Sequence, residues 1–152
     1  MLDAGCGHPP DAPVRELVEP YIFDWARQAE TASAVQVAEG FDQIFAMRQS
    51  TAAALHEVDA ILSPVNPHAY FPAEWCGPTN DPLRLFEHIC FTVPWNMGEQ
   101  PACSVHCGFA PSGVPIGLQI VAPRFHDLRV FALARALESW QPPITNWPHP
   151  GA

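Results

Sequence analysis

At 152 residues the chain has the length of one domain, and its 48% of hydrophobic residues is an ordinary proportion for a protein with a packed core. A formal charge of −9, without any basic cluster, argues against nucleic acid and anionic membrane surfaces as partners. Nothing in it reads as a membrane span or a secretory signal, and its five cysteines, at positions 6, 76, 90, 103 and 107, read as reduced thiols of a cytoplasmic protein rather than a disulfide framework.

The 18 prolines divide the chain into short elements. Residues 1–13, rich in Gly, Pro and Asp, are expected to form a loose N-terminal arm; Cys6 and His8 there have no partners at a metal-binding spacing. From Ala12 to Thr31 the recurrence of Leu17, Tyr21 and Trp25, with Val14, Val18 and Ile22 alongside, predicts a helix that Pro20 kinks or divides. A second helix is expected from Ala34 to Val58, with Ser33 as N-cap and Val37, Phe41, Ile44, Phe45, Arg48, Ala52 and Leu55 on one face. Arg48 interrupts that stripe, and Asp42 or Glu57, or solvent, would receive it.

Ala60-Ile61-Leu62-Ser63 reads as a buried strand closed by Pro64. The proline-rich stretch from Pro64 to Pro82 is a long loop carrying Tyr70, Phe71 and Trp75. Pro82 to Cys90 suggests one or two helical turns with Asp81 as cap. Next comes a β-hairpin, with strands Ala102–Phe109 and Ile116–Val121 and Pro111-Ser112-Gly113 at its turn. A last helix, Leu128 to Trp140, starts behind Asp127 and stops before Pro142-Pro143. Residues 141–152 form a proline-rich tail. The order helix, helix, strand, loop, hairpin, helix predicts a small α/β unit, with helices packed on a small mixed sheet that contains the hairpin.

Several groupings resemble catalytic motifs and fail on spacing. Pro101-Ala102-Cys103 with Cys107 is one residue too long for a zinc deaminase, and no His-x-Glu accompanies it. His56-Glu57 has Ala60 where a zinc protease needs its second histidine. Ser104 and His106 lack a glycine elbow. Cys103, Val105 and Cys107 share strand parity, which predicts one packed face. No metal and no cofactor enter this reading.

The hairpin and its surroundings carry a longer pattern. Asn96, Gln100-Pro101-Ala102, Ser104-Val105, Cys107-Gly108, Gly113-Val114-Pro115-Ile116-Gly117-Leu118-Gln119-Ile120-Val121 and Pro123-Arg124-Phe125 resemble the C-terminal part of the amidase-signature family. Asp59 to Pro64 with Pro67, and Asp127, Leu133 to Ala136 and Glu138, extend the likeness over roughly residues 36 to 143. The resemblance implies a single C-terminal amidase-like domain over residues 1–152. It also implies a serine nucleophile, a bridging cis serine and a lysine base in the complete enzyme, acting on a small carboxamide.

Here all seven basic residues are arginines, and no Gly-Gly-Ser-Ser-Gly run occurs. Arginine stays protonated and cannot replace the base. The expectation is a segment inactive alone, with no catalytic residue of its own and with Trp75, Phe91, Trp95, Asn96 and Gln100 lining part of a substrate cleft. Its expected partner is a missing N-terminal half or, as a non-catalytic module, a second copy. The family pattern usually has glycine where this chain has Glu99 and Ala122, and proline at His106. If the glycine at 99 serves a positive φ, Glu99 requires the loop to move or become strained. Ile89 stands where glutamine-using members carry an acidic residue, which argues against glutamine as substrate.

Overall fold

A computed structural model gives the structure of the chain and describes residues 20–75 and 77–141. The expected N-terminal arm, the helical pattern before Pro20, Cys6, His8, Cys76 and the tail beyond Gln141 lie outside the described residues.

Helix α1 runs Pro20–Glu30. Pro20 stands in its first turn, where a missing N–H breaks no intrahelical bond. Helix α2 spans Ala34–Ala54. Its N-terminus is a capping box: Ser33 Oγ accepts from the Gln36 amide at 3.2 Å, and the Ser33 amide donates to Gln36 Oε1 at 2.8 Å. The helix ends at Ala54, with Leu55 as its C-cap, rather than at Val58, and Asp59 beyond it is held by Arg129 Nη1 at 2.7 Å.

Strand β1 is Ile61–Pro64, β2 is Ala102–Phe109 and β3 is Pro115–Val121. They form one sheet in the order β1-β3-β2, with β3 antiparallel to both neighbours. The hairpin turn is closed by the Gly113 amide on Ala110 O and the Ala110 amide on Val114 O, both at 2.8 Å, and Gly113 takes φ 83°. Helix α4 spans Asp127–Ser139 and packs on β2 and β3. Between β1 and β2, Pro82–Ile89 is a 3-10 segment kinked at Arg84, and Val93–Gly98 is a short helix, α3, that packs against the end of α2.

The core lies between the sheet and α4: Val105, Ile120, Ala122 and Val130 are buried, with Cys103, Leu118, Leu133, Ala134 and Leu137 against them. The helices with a small hairpin-bearing sheet are the expected α/β unit, but the described strands pair antiparallel throughout and not as a mixed sheet. One detail of strand parity differs. His106 pairs with Gly117 and Gly108 with Ile116, so Cys107 is the extra residue of a β-bulge. Cys107 is therefore exposed, while Cys103 and Val105 face the core. Asp127 likewise sits in the first turn of α4, where its charge suits the helix dipole; the cap position belongs to His126, which makes no side-chain capping bond.

Candidate functional site

The sheet has two unlike faces. Cys103, Ile120 and Leu62 lie in one cross-strand row, on the side covered by α4. Ser104, Gln119 and Ser63 form the next row, on the opposite side. There Gln119 is 4% exposed, and its Nε2 donates to Ser63 Oγ at 3.0 Å and to Phe91 O at 2.8 Å. One side chain thus ties β1, β3 and the segment leading into α3.

That segment carries four of the five residues expected to line a cleft. Phe91 and Trp95 are half-buried, Asn96 is exposed, and Gln100 is buried. The Gln100 amide donates to Trp95 O at 3.1 Å, closing the turn after α3. Its side-chain Nε2 donates to Thr51 Oγ1 at 3.1 Å, and Thr51 in turn donates to Met47 O at 2.9 Å. Gln100 Oε1 is buried without a hydrogen-bond partner and lies against Gly98, where a Cβ would fall 2.0 Å from it. Trp75 belongs to the preceding loop and is exposed; its amide donates to Pro72 O at 3.1 Å, and no hydrogen bond joins it to the other four.

Glu99 holds φ 61° and ψ 31°, the left-handed conformation at the end of α3. The loop therefore keeps the conformation a glycine would favour and carries the side chain as well. Its carboxylate accepts from Arg48 Nη2 and from Arg124 Nη2. Arg48 also donates Nε to Met97 O at 3.1 Å. The expected partners of Arg48, Asp42 and Glu57, do not receive it.

A separate groove of about 510 Å³ runs between β2 and α4, lined by Cys103, Val105, Phe131, Ala134, Arg135 and Glu138. None of the five expected cleft residues lines it. Burial pushes the Cys103 thiol above its ordinary range, and the Glu138 carboxylate adds to the shift. Ser104 is exposed, and His106 packs its ring against Phe109 at 4.6 Å. Among the described residues no group of three His, Cys, Asp or Glu could hold a metal ion, and no helix is long and apolar enough to cross a membrane.

Residue patterns alone missed Thr51, Gly98 and the Arg48–Glu99–Arg124 contact, because each involves at least one residue far off in the chain. The one local signal for α3 was Pro94 near its start with Gly98 at its end.

The Amidase family model matches residues 3–131. A subunit of the glutamyl-tRNA(Gln) amidotransferase of Salinispora tropica is 41% identical over 92 residues, covering 60% of this chain and 18% of that protein. The corresponding subunit of Thermotoga maritima is 36% identical over 116 residues, covering 74% and 24%. The chain thus spans about a fifth of the length of the curated relatives it matches. The crystal structure of the Thermotoga maritima protein superposes with a TM-score of 0.61 at 28% identity, over 92% of this chain and 30% of that one. A solved amidase gives 0.70 at 24% identity, over 82% and 29%, a likeness of fold. The chain belongs to the amidase-signature family, as a segment that matches only part of its relatives.

Proposed function

We propose that this chain is the C-terminal part of a carboxamide hydrolase and is inactive by itself. In the complete enzyme a serine would attack the carboxamide carbonyl and expel ammonia or an amine. Water would then cleave the acyl-serine to release the carboxylic acid. The observation that carries the reading is a mismatch: the chain aligns over 18–30% of its relatives, yet has no lysine to serve as base.

In this reading Trp75, Phe91 and Trp95 supply apolar wall. Exposed Asn96 offers an amide able to both donate to and accept from a carboxamide. Gln100, whose side chain is bonded to Thr51, sets the turn behind them. The substrate is a small carboxamide, and Ile89 argues against glutamine. We place the protein in the cytoplasm, where the thiols of Cys90, Cys103 and Cys107, all free, stay reduced.

The test is turnover of a simple aryl amide. The purified chain should show none, and mixing it with a separately made N-terminal amidase half should restore activity if the two fit. Turnover by the chain alone would contradict the proposal.

A second reading, a non-catalytic module that self-associates or docks on a separate N-terminal half, is favoured by one observation. Val37, Phe41 and Phe45 on α2, and Leu128 and Phe131 on α4, are exposed large apolar side chains. Light scattering on a sizing column separates the cases: a stable dimer without amidase activity supports the module, and a monomer activated only by the N-terminal half supports the split enzyme.

A further inference from the structure

Among the described residues three non-glycines hold positive φ: Asn80, Glu99 and Phe125. Such a conformation is unfavourable for residues with long or bulky side chains and persists where the surroundings fix it. Glu99 ends α3, and Phe125, at φ 67°, lies in the turn between β3 and α4, immediately after Arg124. The two strained turns meet at the base of the hairpin, where the Ala122 amide donates to Pro101 O at 3.1 Å.

One carboxylate joins these turns to each other and to α2. Glu99 Oε1 receives Arg48, and Oε2 receives Arg124. Each guanidinium has a second contact near its own side: Arg48 reaches Met97 O and lies over the Phe45 ring at 5.5 Å, and Arg124 lies over the Phe125 ring at 5.4 Å. Half-exposed ion pairs taken singly contribute little, but here two guanidinium groups each donate one nitrogen to a different oxygen of one carboxylate, and together they form a network.

We propose that Arg48 and Arg124 form a carboxylate-binding site that the chain fills with its own Glu99, and that this internal ligand holds the two strained turns together. The hydrolase reading does not require it, since the site depends on a side chain where the family pattern has glycine. With the Glu99 carboxylate removed, the arginines would take a small free carboxylate, and formate is the probe.

The experiment uses the whole 152-residue chain at low ionic strength. Glu99→Gly relieves the backbone and empties the site together, so it avoids a folding failure caused by the positive φ. Its thermal midpoint should rise saturably with sodium formate and not with sodium chloride at equal ionic strength. Arg48→Met or Arg124→Met in the Glu99→Gly background should abolish that rise. In the unmodified chain either arginine substitution should speed hydrogen exchange at the Gln100 amide by about tenfold. The proposal is overturned if formate and chloride act alike, if the formate effect survives either arginine substitution, or if Gln100 exchange is unchanged without the arginines.

Discussion

Gly98 shows how tightly one residue can be specified. A Cβ there would lie 2.0 Å from Gln100 Oε1 and 2.3 Å from Thr51 Oγ1, and buried Gln100 cannot swing aside without losing its bond to Thr51. Gly98→Ala should therefore cost about 1–3 kcal/mol in urea unfolding, the usual range for overpacking. Thr51→Val keeps the shape and removes the acceptor of Gln100 Nε2; it should cost about 1–3 kcal/mol, because a buried donor is left without a partner. Cys103 offers a chemical readout. Its thiol is shifted upward and half-buried, so iodoacetamide should label it more slowly than exposed Cys107. Glu138→Gln removes the second cause of the shift and should speed that labelling, with the burial contribution retained. A folded-state thiol pKa above the unfolded one leaves stability intact below the unfolded value and lowers it as pH rises through the folded value. Cys103→Ala should flatten that alkaline loss.

Among the elements, the long helix, the hairpin and the last helix were legible, because each repeats its signal over many residues. Ser33 as N-cap was legible too, since hydroxyl and amide partners sit within one turn; Ser33→Ala should cost about 1 kcal/mol by thermal unfolding. Helix α3 was not legible, because six residues are too few to show a period. The bulge at Cys107 escaped strand parity for a related reason: alternation counts residues, and one extra residue changes the count only when the partner strand is known. Of the candidate site, the segment from Phe91 to Gln100 was proposed through its likeness to a family. Its real anchors, Thr51, Gln119 and Arg48, are contributed by other elements, and no local spacing encodes them.

At the scale of the molecule, a three-stranded sheet with α4 on one face leaves much apolar surface uncovered. If that surface drives association, Phe41→Glu combined with Phe45→Glu should shift light-scattering mass toward the monomer while leaving the β2–β3 hairpin intact by hydrogen exchange. The first turns of α2 sharpen the point: every residue from Ala34 to Gln43 is exposed, so that stretch gains nothing from the core below it. Capped at Ser33 and continuous with the rest of α2, it still lacks the tertiary packing that supplies most helical stability in proteins. Circular dichroism on a dilution series should accordingly lose amplitude at 222 nm (about the usual helix band) as the sample is thinned. If association completes α2, how much helix is present becomes a question of how much protein is in the tube.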